Sequence, residues 1–435
     1  GAPISFDNAQ VLKNGHCFYL DISLDVIIKR LQNSDKRPLG GANTADELKK
    51  IKELYNFRRP IYENLGHSIN VSDNKNLICD EIIRRFHALN SLAGLKAVHI
   101  DHPARYPIIF GGIENIDNIL SSLGLSDHQP VIITSDHLQN ELKEPLSQMV
   151  QKLTNPLILC LKDGEKYKNM DSVQQILKQM FEHDLTRKTV VLAVGGGNVG
   201  DVAGFLASIF LRGVPFIQIP TTLLAMVDSS IGGKTGVDNE FGKNLIGAFY
   251  TPKAVLLDES FLKSLPKDEL ACGMAEVIKH AIIADRDLFL KLKNGSFDAS
   301  LIEQALKVKA DIVYSDPFEQ NIRAYLNLGH TYGHAIEKIS RYEIKHGFAV
   351  AMGLVLATRM AKKLGMLEED FLPELEEILE KYHLPTKMPE NIDMKDVMAA
   401  MKHDKKRDNV SLKLILPQKI GQVCVKAVSE QELIW

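Results

Sequence analysis

Three short, unbroken apolar runs constrain this chain most: VIIT at 131–134, LILCL at 157–161 and VVLAV at 190–194. None alternates apolar with polar residues, so each predicts a strand buried on both faces, as in parallel sheets covered by helices. Helical patterns such as SVQQILKQMFEHDL (172–185) separate them, which predicts an α/β core from about Gly94. After about Pro266 strand signals nearly vanish until SLKLILP (411–417), and a mainly helical domain is expected there. Upstream, HCFYLDISLDVIIKRL (16–31) reads as a strand passing through a serine cap into an amphipathic helix. A basic turn, DKRPLGG (35–41), leads to a charged helix ending near Arg58 and Arg59. CDEIIRRFHALNSLAG (79–94) reads as a closing helix and linker. The expected divisions are a fragment at 1–86, a linker at 87–93, an α/β domain at 94–268 and a helical domain at 269–435.

With 435 residues, 45% of them hydrophobic, the chain can bury a core without a disulfide or metal scaffold. Lys and Arg total 52 against 55 Asp and Glu, so no basic excess points to nucleic acid or a membrane surface. An anionic ligand must instead meet a local cluster of positive charge. The five scattered cysteines, never spaced C-x-x-C, read as reduced thiols in a cytoplasmic protein. The longest apolar stretches are cut by charges such as Asp201 and Arg212, and GAPISFDNAQ lacks a signal-peptide layout, so neither a membrane span nor secretion is expected. The start at glycine rather than methionine suggests a piece of something longer.

Gly195, Gly197 and Gly200 in VVLAVGGGNVGD match G-x-G-x-x-G between a strand and a helix, where backbone N–H groups approach a pyrophosphate. The ribose-binding acid expected about 20 residues on is missing, so a dinucleotide would bind outside the standard pattern. DSSIGGKT (228–235) looks like a P-loop, but Asp228 stands where the first glycine belongs and would repel phosphate. An ATP-binding reading of that segment is rejected.

In RAYLNLGHTYGH (323–334), Arg323, Asn327, His330 and His334 are spaced four, three and four, one stripe of a helix. A polar stripe is ordinarily a solvated face; here apolar flanks and two glycines predict a buried, functional one. Two histidines one turn apart suit zinc, with His346 or Glu276 supplying a further ligand. Periodicity does not choose which three of these four groups bind. Lys279, one turn beyond Glu276, fits an ordinary i,i+3 ion pair.

Together the blocks DGEKYK (163–168), GGGNVGD (195–201), RGVPFIQIPTTLLAMVDSSIGGKTGVD (212–238), GKNLIGAFY (242–250), AEVIKH (275–280), NLGHTYGHAIE (327–337), HG (346–347) and DKK (404–406) resemble the 3-dehydroquinate synthase family over residues 94–435. The resemblance implies a Rossmann-like NAD-binding domain, a helical metal-bearing domain, NAD, a divalent metal (zinc, with cobalt as substitute) and a homodimer. It implies a lyase of aromatic amino acid biosynthesis, acting on 3-deoxy-D-arabino-heptulosonate 7-phosphate. Transient oxidation, loss of phosphate, re-reduction and aldol closure would follow one another on one site. Another sugar-phosphate cyclase or an iron-type alcohol dehydrogenase is the alternative.

Carried over by motif, the metal ligands would be Glu276, His330 and His346, with His334 as an acid/base and Lys279, Lys234 and Asn244 beside it. NAD contacts would fall on Asp163, Glu165, Lys168, Gly197, Asn198, Val199, Gly200, Asp201, Thr221, Thr222, Lys243 and Ser264. Substrate groups would be Asp228, Lys309, Arg323, Asn327 and Lys405, with Arg212 reaching a neighbouring subunit. Two residues depart from the family pattern: Phe348 stands where glutamate is usual and Asn169 where serine is common. Residues 1–86 resemble the C-terminal half of shikimate kinase, with Arg37 at the lid and Arg58 on the substrate side. That implies a partial P-loop-kinase-type α/β fragment, its phosphate loop upstream in a fused kinase–synthase.

Overall fold

The computed structural model describes residues 16–32, 44–70, 75–92, 94–100, 106–141, 143–403 and 412–433. Arg37 and Lys405 lie outside them. The chain forms two compact units, one of residues 1–96 with 114–128 and the other of 97–113 with 129–435.

In the first unit β1 (Phe18–Asp21) pairs in parallel with β2 (His67–Asn70). Ser23 Oγ accepts from the N–H of Val26 at 3.5 Å, at the start of α1 (Leu24–Gln32), which is the serine cap expected. The helix α2 (Ala45–Leu65) opens with a full capping box between Thr44 and Glu47, each side chain bonded to the other's backbone N–H. It does not end near Arg59: it runs through Pro60 to Leu65. Arg59 reaches across to Asp21 at 2.9 Å, tying α2 to β1. Residues 87–91, expected in a linker, are the last turn of α3 (Lys75–Ser91), and α4 (Ile116–Ser122) packs in this unit although its sequence lies inside the expected α/β domain.

The second unit is built on a seven-stranded sheet in the order β3 (Lys96–Ile100), β4 (Tyr106–Phe110), β11 (Ala254–Leu257), β8 (Phe216–Pro220), β7 (Thr189–Gly195), β5 (Gln129–Ser135), β6 (Leu157–Leu161). All pairs from β4 to β6 are parallel. Strand β7 is buried along its whole length, as its unbroken apolar run requires. β8 is buried too although Gln218 interrupts it, while β6, at the sheet edge, leaves Ile158 exposed against the expectation of burial on both faces. Helices α5 (Met170–Glu182) and α6 (Gly197–Ile209) cover one face, where Val191, Phe205, Met180 and Ile176 share a core. The chain runs outward from β5 to the edge strand β6, then returns to β7 and continues through β8 the other way. A reversal of this kind opens a crevice at the carboxyl ends of the strands. An antiparallel hairpin of β9 (Lys234–Asn239) and β10 (Gly242–Phe249) follows β8.

Beyond Lys267 the same unit is helical, chiefly α7 (Lys267–Ala284), α8 (Ala299–Ser315), α9 (His330–Ile339) and α10 (His346–Lys363). It closes with the hairpin β12 (Leu412–Lys419) and β13 (Gln422–Val428). α7 and α10 are buried over most of their length, and apart from Glu276 and Lys279 their charges lie toward the helix ends. All five cysteines are free thiols, and no helix among the described residues is long and apolar enough to cross a membrane.

Candidate active site

The polar stripe is not one continuous helix. Arg323 and Asn327 lie in a 3-10 turn (Ile322–Asn327), and α9 begins only at His330. Gly329 breaks the run with φ +78°, a conformation costly for any other residue, and a side chain there would meet the α10 backbone at Leu354. This break turns His330 toward α7 and α10 while leaving His334 exposed one turn on.

Glu276, in the middle of α7, is fully buried. Its Oε1 lies 3.6 Å from His330 Nε2 and 3.6 Å from His346 Nε2, and has no hydrogen-bond partner in the protein. Each histidine has an acceptor on its other nitrogen: His330 Nδ1 is 3.2 Å from the carbonyl of Leu328, and His346 Nδ1 is 3.3 Å from Glu337 Oε2. With protons on both Nδ1 atoms, both Nε2 lone pairs face the carboxylate. For His346 that state requires the loss of a proton. Burial acts to lower its pKa, but the bonds to Glu276 and Glu337 outweigh it and push the imidazole up to about 9, so a metal would take the place of the Nε2 proton. Tetrahedral metal–ligand bonds of about 2.0–2.2 Å put ligand atoms about 3.4 Å apart, so this spacing fits a small divalent cation. Burial alone would raise the Glu276 carboxyl, but Lys279, His330 and His346 together hold it well below its usual range. Burial and the neighbouring Lys279 push the His330 imidazole down to about 3, so it stays neutral, the form that ligates.

Beside this cluster lie buried cations. Lys279 is 1% exposed and ion-paired to Glu276 Oε2, its Nζ also 4.0 Å from Asp228. Lys309 reaches Asp228 Oδ1 at 2.6 Å. Arg323, 2% exposed, donates to the carbonyls of Pro317 and Gly232. Burial pushes the Lys309 ammonium down, and Arg323 likewise, although neighbouring acids pull both back up. Asp228 sits in a π-helical turn (Ala225–Ser229), pulled well below its usual range, against burial, by Lys309 and Lys279. Its place among lysines explains why the P-loop-like segment keeps an acid.

Most of the expected dinucleotide residues follow the carboxyl ends of β6, β7 and β8, while Lys243 lies on β10 and Ser264 after β11. Lys168 donates to Asp201 at 2.7 Å, joining the loop after β6 to α6 just past its first turn. Gly197, Asn198, Val199 and Gly200 form that first turn, and the N–H of Thr221 donates to the carbonyl of Gly195. The Thr221 hydroxyl is buried without a partner, while Thr222 Oγ1 caps the following turn at the N–H of Ala225. Glu165 pairs with Lys243 at 3.1 Å, and Asp163 accepts from the N–H of His137 at 2.8 Å. Ser264 ends a short 3-10 turn, its hydroxyl 3.4 Å from the Phe261 carbonyl.

Lys234 ion-pairs with Glu319, whose other oxygen accepts from Asn327 at 3.2 Å. Asn244 is exposed on β10 with φ +56°, and among the described residues no hydrogen bond joins its side chain to the cluster. Arg212 is exposed, with φ +70°. The sequence reading missed three residues. Glu337, 3% exposed, lies on α9 one turn beyond His334; Glu319 bridges Lys234 and Asn327; and His280, fully buried, lies 3.7 Å from Asp228. Helical spacing from His330 and Glu276 pointed to Glu337 and His280, whereas Glu319 left no periodic signal.

Family models for the 3-dehydroquinate synthase N-terminal and C-terminal domains match residues 158–272 and 273–407, and a shikimate kinase model matches residues 1–87. A 3-dehydroquinate synthase of Wolinella succinogenes is 42% identical over 339 residues, 76% of this chain and 95% of that protein. Among solved structures, a 2-deoxy-scyllo-inosose synthase complexed with carbaglucose-6-phosphate, NAD+ and Co2+ superposes with a TM-score of 0.69 at 25% identity, covering 78% of this chain and 98% of that one. A 2-epi-5-epi-valiolone synthase of Streptomyces hygroscopicus with NAD+ and Zn2+ bound gives 0.62 at 27% identity, covering 70% and 88%. By the extent of these matches, the chain belongs to the 3-dehydroquinate synthase family.

Proposed function

We propose that this chain converts 3-deoxy-D-arabino-heptulosonate 7-phosphate to 3-dehydroquinate and phosphate. The observation that carries the reading is the convergence of Glu276, His330 and His346 beside the buried cations Lys279, Lys309 and Arg323. These cations already have protein partners, but gathered in one pocket they also suit an anionic ligand, and this substrate brings a carboxylate and a phosphate on one small sugar.

Glu276, His330 and His346 would hold a divalent metal, zinc in the first instance. Asp163, Glu165, Lys168, Gly197–Asp201, Thr221, Thr222, Lys243 and Ser264 would hold NAD. When bound, NAD supplies a transient hydride acceptor and the metal polarises the substrate's hydroxyls. Arg323, Asn327 and Lys309 orient the carboxylate end, which distinguishes this reading from cyclases whose substrates lack that group. Lys234, Lys405 and, from a neighbouring subunit, Arg212 hold phosphate. Lys279 and Asn244 stabilise oxyanions. Exposed at the mouth, 5.4 Å from the His330 ring, His334 moves the proton of the hemiketal hydroxyl as the ring opens.

The test is phosphate release from the heptulosonate phosphate by the purified chain, with and without NAD+ and chelator. Release that needs both cofactors, with no net NADH, supports the cyclase. Accumulating NADH without phosphate release would point to a dehydrogenase.

A further inference from the structure

Glu337 has no part in the chemistry above, yet it is 3% exposed, and a buried carboxylate is costly unless its charge is met. Its two oxygens serve different elements. Oε2 is 3.3 Å from His346 Nδ1 at the start of α10, and Oε1 is 3.3 Å from Lys243 Nζ on β10. The same ammonium pairs with Glu165 at 3.1 Å, in the turn after β6, and lies 4.6 Å from the centre of the Tyr342 ring. One carboxylate thus joins the candidate metal cluster to the candidate dinucleotide crevice. Phe348, two residues past His346, brings no carboxylate of its own.

We propose that Glu337 is a positioning residue that orients His346 for metal and couples the metal site to the NAD crevice through Lys243. This rests on the ligand set proposed above. The Nδ1–H bond to Glu337 fixes the His346 tautomer and aims Nε2 at Glu276. A cation on Nε2 makes Nδ1–H a stronger donor and draws carboxylate charge toward it. The hold on Lys243 then weakens, and that ammonium turns to the dinucleotide. Metal and NAD+ therefore bind with positive coupling, equal in both directions.

The experiment measures the zinc dissociation constant of the full chain by competition with a chromogenic chelator, with and without NAD+. In the unaltered protein NAD+ tightens zinc binding by about 5-fold or more. Glu337→Gln weakens zinc binding by about 10–100-fold and removes the NAD+ effect. Lys243→Met, which leaves the Glu337–His346 contact in place, removes the NAD+ effect even at NAD+ concentrations shown by direct titration to saturate the variant, while zinc alone binds nearly as before. It keeps the test decisive should Glu337→Gln fail to fold. Zinc binding by Glu337→Gln equal to the unaltered protein, or a full NAD+ effect surviving in either variant, would overturn the proposal. His330→Ala separates the two readings: if it retains zinc, the ligand set is wrong, whatever Glu337 does.

Discussion

Lys309 donates to Asp228 twice, to the carboxylate at 2.6 Å and to the backbone carbonyl at 2.5 Å, across 81 residues of sequence. The contact fastens α8 to the π-helical turn after β8 and places two opposite charges beside the candidate metal cluster. Breaking a buried pair from one side costs about 3–5 kcal/mol, because the partner is left uncompensated. Lys309→Met is expected to lose stability on that scale in urea unfolding, and Lys309→Met/Asp228→Asn to recover a good part of it. Strictly additive losses would show that the pair is not coupled.

His330 and His334 share α9 but are expected to behave differently on substitution. His330→Ala removes a lone pair facing Glu276 and abolishes zinc binding. His334→Ala keeps the metal and lowers turnover by about 10²–10⁴-fold. Metal analysis of the two purified variants decides it, and equal metal loss in both would contradict the assignment.

Gly232 takes φ +95°, and a methyl there would lie 2.5 Å from Arg323 Nη2. Gly232→Ala must strain the backbone and displace the guanidinium. The expected result is a rise in KM for the heptulosonate phosphate with metal content unchanged. An unaltered KM would remove Arg323 from substrate binding.

Asp316 accepts N–H bonds from Gln320, Asn321 and Arg323 at 2.9, 2.6 and 3.0 Å, fixing the turn that presents Arg323. Burial acts to raise its pKa, but these bonds and the Arg323 charge outweigh it, so the folded carboxyl titrates below its ordinary value. A depressed pKa in the fold means this stabilisation is complete above about pH 4 and is lost as pH falls through the folded value. Asp316→Asn should therefore lower Tm at pH 7 and make its decline below pH 4 shallower, as followed by circular dichroism. Parallel Tm–pH curves would exclude the role.

Residues 1–87 match the shikimate kinase model, yet the 435 residues contain no G-x-x-x-x-G-K-[ST] loop. Phosphoryl transfer needs that backbone cradle with its lysine. This chain is expected not to phosphorylate shikimate with ATP, and removing residues 1–86 to leave cyclisation largely intact. Kinase activity in the purified chain would refute the first expectation, and loss of cyclisation by a folded remainder the second.

Strand identity and the central sheet were legible in the sequence because a strand buried on both faces must be apolar at every position, as in VVLAV. The glycine run after β7 was legible as a strand-to-helix turn because that turn lies within a few consecutive residues. The cluster of Glu276, His330 and His346 comes instead from three helices, and the one-turn histidine spacing did not select it. Other features depended on contacts between distant segments. That Arg323 and His330 do not share a helix was decided by Gly329 against the α10 backbone, a contact 25 residues downstream at Leu354. The placing of 114–128 with the first unit, the double contact of Lys309 with Asp228, and the link from His346 through Glu337 to Lys243 were likewise set in space. Local backbone preference and burial period write themselves into neighbouring residues. The partner of a buried charge does not, because the energy that selects it is satisfied by whichever segment the packed chain brings within about 3 Å.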